Sequence, residues 1–177
     1  MDTLLKKIAL GKFDPKIDSS SKIPDEQGNY IVCLKKGSRL PESNIKPIFT
    51  THEGLDVIYV GKSGVNLRKR DYTQHFNKNA GSSTLRKSLG VLFGYRQIPR
   101  DKDPNTGKTK FSESDELELS NWMNKNLLMF TYPTGDYEST EQQLIMHFNP
   151  PLNLKGSTNH VNSGFRQLLS RLRAEKG

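Results

Sequence analysis

Six polar side chains, spread along the chain, carry functional groups that phosphodiester hydrolysis requires. They are Tyr30, Tyr59, Arg70, His75, Glu141 and Asn153. Arg70 can donate two parallel hydrogen bonds to a phosphate group. The carboxylate of Glu141 can hold one divalent cation that keeps most of its water ligands. A tyrosine beside that cation can accept the proton of the attacking water if the cation and the arginine lower its pKa from about 10.

Two of these roles stay open at the level of sequence. Either Tyr30 or Tyr59 can be the proton acceptor, because each lies where a predicted strand meets a turn or a sheet edge. His75 is a second candidate base, or an acid for the leaving group. Asn153 can fix a tyrosine or a backbone segment by hydrogen bonding. A single carboxylate, that of Glu141, predicts one metal ion rather than two.

The chain is basic, with 27 Lys and Arg residues against 19 Asp and Glu residues, a formal net charge of +8 and a pI near 9.5. This balance favours a polyanionic partner, of which nucleic acid is the first candidate. The predicted contacts to DNA are Lys62, Arg68, Lys69, Arg100, Lys108 and Lys110. Cys33 has no second cysteine to pair with, which excludes an intramolecular disulfide framework and a Cys-rich zinc site. No apolar run is long enough to span a bilayer, so we expect a cytoplasmic protein without a membrane partner.

The hydrophobic pattern predicts one α+β domain over residues 1–177, with a small three-stranded antiparallel sheet flanked by helices. The predicted strands are 29–34, 55–60 and 127–132. Residues 1–27 form an N-terminal helix and a connector, 28–155 form the core with insertions near 35–54 and 94–133, and 156–177 form a C-terminal amphipathic helix.

Several of the polar candidates lie on predicted helices. One helix covers the basic stretch 66–77, a second begins after Ser82 or Ser83, and a third runs from about Ser139 to Phe148. In the last helix the apolar stripe predicts that Arg166, Arg171 and Arg173 lie on the solvent side. Residues 100–110 are expected to form a basic loop.

The order of these residues resembles the GIY-YIG nuclease superfamily. Gly28-Asn29-Tyr30 corresponds to its first motif and Tyr59-Val60-Gly61 to its second, while residues 66–70 with His75 resemble its Arg/His helix. The stretch from Glu141 to Ile145 and the later Asn153 resemble the distal Glu and closing Asn. The resemblance implies an α/β sandwich with inserted loops, hydrolysis of DNA, Mg²⁺ or Mn²⁺ as cofactor held by Glu141, and a tyrosine as the proton acceptor.

The chain departs from the family pattern in four places. Asn29 replaces the usual Ile of the first motif, Val60 replaces the Ile of the second, which is a mild change, and the gap between the two motifs is wider than in compact members, as it also is in restriction members. Arg70 and His75 are five positions apart, where the family has four. Arg68 is therefore an alternative for the arginine, and Tyr72 for the second polar group.

The function predicted from these features is that of a metal-dependent DNA endonuclease in restriction or defence. A noncatalytic DNA-binding module of the same fold is one alternative, which Asn29 and the altered Arg/His spacing favour. An RNA-cleaving toxin is the other. Because cutting both strands with one site per chain needs two copies, a homodimer is possible.

Overall fold

The computed structural model describes residues 1–175 and shows an α+β fold. Strands β1 to β7 span Lys12–Phe13, Gly28–Leu34, Thr51–His52, Leu55–Ser63, Ile98–Pro99, Thr109–Lys110 and Leu127–Pro133. Helices α1 to α5 span Asp2–Ala9, Thr84–Leu92, Glu113–Asn126, Tyr137–Phe148 and Ser163–Ala174, and a π-helix spans Lys69–Phe76. Short 3-10 turns lie at Ser20–Lys22, Ala80–Ser82, Pro104–Thr106 and His160–Asn162.

The main sheet is antiparallel, with strand order β1-β7-β2-β4-β3. All seven residues of β2 are buried, as expected of a strand with neighbours on both sides. Directly paired residues share a face, so the register of Tyr30 with Gly61 and of Val32 with Tyr59 brings both phenols to one face. A Cβ at Gly61 would overlap the Tyr30 phenol, which explains the glycine of the second motif.

The sheet has five strands, which corrects the expected three. The two additional strands, β1 and β3, lie at the edges and have two residues each, too few to show alternation in the sequence. β1 comes from the connector, whereas β3 comes from the 35–54 insertion. A tight turn at Glu53 and Gly54, both at positive φ, connects β3 to β4. The predicted basic loop is a hairpin of β5 and β6. Residues 176–177 of the predicted last helix lie outside the described part of the chain.

Side chains of β2 divide the core between the two faces of the sheet. Ile31 and Cys33 pack with α1 and α4, whereas Tyr30 and Val32 pack with α2, α3 and α5. The three layers therefore form a sandwich with the sheet in the middle. Within residues 1–175 the longest helix, α3, has 14 residues, and no helix is both long and apolar enough to cross a membrane.

The outer edge of β4 is only partly covered by another strand. β3 pairs with just the first two residues of β4. Farther along, the backbone N–H of Leu152 donates to the carbonyl of Ile58 at 3.1 Å, so the loop after α4 takes over the edge. Elements from both faces of the sheet lie close to this edge, so side chains from both faces can line one site there.

Candidate active site

A cleft of about 600 Å³ opens beside the outer edge of β4. Tyr59 of β4, Glu141 of α4 and Asn153 of the following loop line it together, as do Lys62 and Arg173. Tyr59 belongs to the core on one face of the sheet, and α4 covers the other face. The two side chains meet because the cleft lies beside the edge of the strand.

Arg70 lies in two smaller cavities that share residues with this cleft. One, of about 360 Å³, is also lined by Lys62, and the other, of about 220 Å³, is also lined by Arg173. The Arg70 guanidinium donates to Gln74 Oε1 at 2.6 Å and to the Ser82 carbonyl at 3.3 Å. Arg70 thus borders the cleft from the side of the π-helix.

The π-helix Lys69–Phe76 explains the five-residue spacing between Arg70 and His75. Its hydrogen bonds run from i to i+5 and widen the turn, so residues five apart are separated by about one turn. In an α-helix the same two side chains would point about 140° apart, since 3.6 residues make a turn. The π-helix thus accommodates the one additional residue that separates Arg70 from His75 relative to the family pattern.

The two alternatives to this pair take structural positions. Arg68 donates to the carbonyls of Ser20 at 3.1 Å and Ile23 at 2.9 Å, which fastens the connector to the core. The ring of Tyr72 packs edge-on against Phe13, with the ring centroids 6.4 Å apart. Neither of these two residues lines the cleft.

A buried chain of hydrogen bonds lies beneath the cleft. Tyr30 Oη and His75 Nε2 are 2.7 Å apart, and His75 Nδ1 and Ser83 Oγ are 2.6 Å apart. Ser83 Oγ accepts from the backbone N–H of Arg86 at 3.1 Å, and Nδ1 is the acceptor that the described residues offer to its proton. We therefore assign the proton of His75 to Nε2, which donates it to Tyr30.

The charge state of His75 agrees with this assignment. Burial lowers the pKa of His75 well below its usual 6.5, and the cations Arg70 and Arg86 lower it further. His75 is therefore neutral near pH 7. Arg86 is itself buried, donates to the His75 carbonyl at 2.9 Å and pairs with Glu116 at 2.7 Å. This ion pair between α2 and α3 fixes the backbone that carries the histidine.

Tyr59 has a different environment from Tyr30. It lines the cleft and keeps 8% of its surface exposed, whereas Tyr30 keeps 1%. Burial raises the pKa of the Tyr59 phenol, and Arg70 opposes this shift. Glu141 adds to the rise in the pKa, whereas Arg173 and a hydrogen bond with Thr84 reduce it. The charged side chains that shift the pKa of Tyr59 thus line the cleft or the cavity next to it.

Glu141 and Glu138 share one cation. Lys62 Nζ lies 3.1 Å from Glu141 Oε2 and 2.8 Å from Glu138 Oε2. The hydrogen bond to Glu138 raises the pKa of Lys62, so the ammonium is charged. A positive group already occupies the space between the two carboxylates, and hard carboxylate oxygens are the ligands of a hydrated Mg²⁺ or Mn²⁺. The donor set therefore fits one such ion, although no three His, Cys, Asp or Glu residues cluster within the described chain.

Asn153 completes the edge of β4 as a strand would. Its Oδ1 accepts from the backbone N–H of Val60 at 2.9 Å, and its Nδ2 donates to the Val60 carbonyl at 2.8 Å. The side-chain amide thus replaces a neighbouring peptide group. This pair of bonds fixes the backbone directly after Tyr59.

Asn29, the departure in the first motif, lies between the sheet and α4. Its Nδ2 donates to the carbonyl of Tyr137 at 2.9 Å, at the first residue of α4, while its buried Oδ1 has no partner among the described groups. The bond connects the start of the helix that carries Glu138 and Glu141 to strand β2. The sequence showed this position only as a mismatch to the family pattern.

The predicted DNA contacts fall into two groups. Lys62 and Lys69 border the cavities next to the cleft, and Lys69 is exposed. Arg100 pairs with Asp101 at 2.7 Å and donates to the Gly81 carbonyl at 3.1 Å. Lys108 is exposed and Lys110 half-buried, both on the β5–β6 hairpin and its loop.

Sequence reasoning missed the position of Arg173. The last helix does bury its apolar stripe, but two of its three arginines are not on the solvent side. Arg166 is buried and donates to Asn149 Oδ1 at 2.9 Å, and Arg173 is half-buried and lines the cleft. Only Arg171 of these three is exposed. An apolar stripe defines one side of a helix but does not show which flanking residues a neighbouring element covers.

Comparison with known proteins gave one family and no individual relative. The model of the GIY-YIG catalytic domain matches residues 28–175, a span that includes both tyrosine motifs, Glu141, Asn153 and helix α5. No curated protein and no solved structure matched the chain. The match covers most of the chain and supports an enzyme of the endonuclease type. The chain therefore belongs to the GIY-YIG catalytic domain family.

Proposed function

We propose that the protein is a divalent-metal-dependent endonuclease that hydrolyses DNA phosphodiester bonds. The observation that carries the proposal is the cleft beside β4, where a phenol, a carboxylate, a lysine and a strand-fixing amide lie together. Arg70 borders the same space. These are the groups that this reaction requires: a proton acceptor, a metal ligand and cations for the phosphate.

Glu141 would hold the metal, with Glu138 close enough to assist through water. When bound, Mg²⁺ or Mn²⁺ would neutralise charge on the phosphate and lower the pKa of a coordinated water. Lys62, which now pairs with both carboxylates, would then be available to a nonbridging oxygen of the substrate. Arg70 would donate its paired N–H groups to the same phosphate.

Tyr59 is the proton acceptor that the geometry favours, because it lines the cleft and Tyr30 lies beneath it. In the reaction, Tyr59 first loses its phenolic proton to solvent, a loss that the nearby Arg70 and Arg173 favour. The water oxygen then forms a bond to phosphorus as its proton passes to the Tyr59 oxygen, and the bond to the leaving oxygen breaks, with that oxygen taking up a proton from solvent. The buried Tyr30, His75 and Ser83 hold the neighbouring backbone and ring in place. Asn153 does the same from the other side of β4.

DNA as substrate is supported by the net charge of +8 and by the basic side chains around the cleft. A role in restriction or defence agrees with the long 35–54 insertion, which resembles those of restriction members. With one such site per chain, cleavage of both strands would use two copies of the protein acting together.

Incubation of supercoiled plasmid DNA with the purified protein tests the proposal. We expect nicked and linear products with Mg²⁺ or Mn²⁺ and none with EDTA. A parallel digestion of RNA separates the DNA nuclease from the RNA-cleaving toxin. Binding of DNA without cleavage under any metal would instead establish the noncatalytic module.

A further inference from the structure

Arg173 is the arginine among the described residues that line the cleft, and the family motifs do not include it. It lies in the last turn of α5 and lines the cleft with Tyr59 and Glu141. It also lines the smaller cavity that contains Arg70. Its position therefore connects the two spaces in which the reacting phosphate is expected.

The other buried or half-buried arginines have several strong partners each. Arg86 pairs with Glu116, Arg166 donates to Asn149 and to the Asn159 carbonyl, and Arg100 pairs with Asp101. Such partners compensate for the water that a buried guanidinium loses.

Arg173 lacks a partner of this kind. Its one hydrogen bond in the described structure is a long one, from NH1 to Ser88 Oγ at 3.5 Å, and no described carboxylate lies within ion-pair distance. Burial lowers the pKa of Arg173, and Tyr59 opposes this shift, as expected of a guanidinium that loses part of its solvent at the cleft. A guanidinium has five N–H donors, so most of those of Arg173 remain available at the cleft.

An anion in the cleft would supply the missing partner. Glu141 lines the same cleft, but its carboxylate pairs with Lys62 and not with Arg173. The planar donor fork of an arginine matches two oxygens of a phosphate group. Arg173 and Tyr59, the phenol that we assign to the reaction, line the same cleft, and the charge of Arg173 lowers the pKa of that phenol.

We propose that Arg173 binds a backbone phosphate of the nucleic-acid substrate inside the catalytic cleft, so that helix α5 forms part of the substrate site. This inference rests on the proposed function. It assigns a substrate-binding residue to an element that follows Asn153, the closing Asn of the family pattern. It also requires an arginine rather than a lysine for full effect, since the planar guanidinium presents two parallel N–H groups to two phosphate oxygens and an ammonium does not.

The test compares Arg173→Gln with Arg171→Gln, a matched loss of charge two residues earlier on the exposed side of the same helix. The probe is a fluorescein-labelled DNA duplex, and anisotropy measures its affinity in EDTA over a series of salt concentrations. We expect Arg173→Gln to weaken binding about tenfold and to reduce the salt slope by about one. Arg171→Gln should change the affinity by no more than about twofold, as for a solvated surface charge.

The outcomes separate the inference from the proposed function. Wild-type cleavage of DNA, combined with equal affinity and slope for the two variants, overturns the role of Arg173 alone. A wild-type protein that neither binds nor cleaves DNA overturns the proposed function and this inference with it. If circular dichroism shows that Arg173→Gln is unfolded, Arg173→Lys decides: intermediate affinity supports the inference, and wild-type affinity overturns it.

Discussion

The two motif tyrosines share a residue type and a face of the sheet, but their surroundings differ. Their ring centroids are 6.2 Å apart on neighbouring strands. Tyr30 is sealed in the core and hydrogen-bonded to His75, whereas Tyr59 lines the cleft among Arg70, Glu141 and Arg173. The difference shows that two tyrosines in paired sequence motifs can divide into one that lies buried beneath the cleft and one that lines it.

Phenylalanine at each position gives the largest contrast. Tyr59→Phe should lower kcat for DNA cleavage about 10³-fold, because it removes the proton acceptor. Tyr30→Phe removes the bond to His75 but leaves the proposed proton acceptor in place, and should lower kcat about tenfold. Single-turnover cleavage of a labelled duplex measures both rates. A larger loss for Tyr30→Phe than for Tyr59→Phe would reverse the assignment of the two roles.

Lysine substitutions at Arg70 and Arg68, the two arginines of the π-helix region, should give a second contrast in cleavage rate, smaller than that between the tyrosines. Arg70→Lys should lower kcat about 100-fold, because a single ammonium replaces the paired donors to the phosphate. Arg68→Lys should leave kcat near the wild-type value and lower the free energy of unfolding by about 1 kcal/mol, since Arg68 fastens the connector. Cleavage rates and urea unfolding of both variants measure this. The reverse pattern would make Arg68 the functional arginine.

A substitution at Asn29, which departs from the family pattern, tests whether its hydrogen bond to Tyr137 positions helix α4. Asn29→Ile breaks the bond to the Tyr137 carbonyl, so the concentration of Mg²⁺ for half-maximal cleavage should rise about tenfold, as for the loss of a residue that orients a metal ligand. The matched control is Val60→Ile, which also restores the family residue and should leave the Mg²⁺ requirement unchanged. Equal Mg²⁺ requirements for the two variants would show that Asn29 has no positioning role.

The buried histidine gives the smallest effect, on stability. His75 has a lowered pKa in the folded state, so below about pH 6.5 the unfolded chain binds a proton that the folded chain does not. The free energy of unfolding should therefore fall as the pH decreases from 7 to 5, by up to about 1.4 kcal/mol per pH unit from this group.

Urea unfolding across that pH range measures the slope. His75→Gln should flatten it, and His52→Gln should flatten a further part, because burial also lowers the pKa of His52. An unchanged slope in His75→Gln would mean that His75 does not titrate as described.

Part of this structure was predictable from the sequence, because long buried strands leave a clear pattern. The three central strands, a helix cap at Ser82 or Ser83, which the structure places at Ser83, and the family came from local patterns and residue order. Strands of two residues, such as β1, have no periodicity to detect. The π-helix and the inward position of Arg173 depend on packing between elements far apart in sequence, which a local pattern does not report.

Single-turnover cleavage of a labelled DNA duplex by Glu141→Gln and Glu138→Gln, at saturating Mg²⁺, tests the central claim most directly. Both changes remove one carboxylate charge from the same lysine, but only Glu141 lines the cleft. We predict that Glu141→Gln lowers the rate at least 10³-fold and that Glu138→Gln lowers it by less than about tenfold. Wild-type rates in Glu141→Gln would contradict the claim that this cleft is the active site.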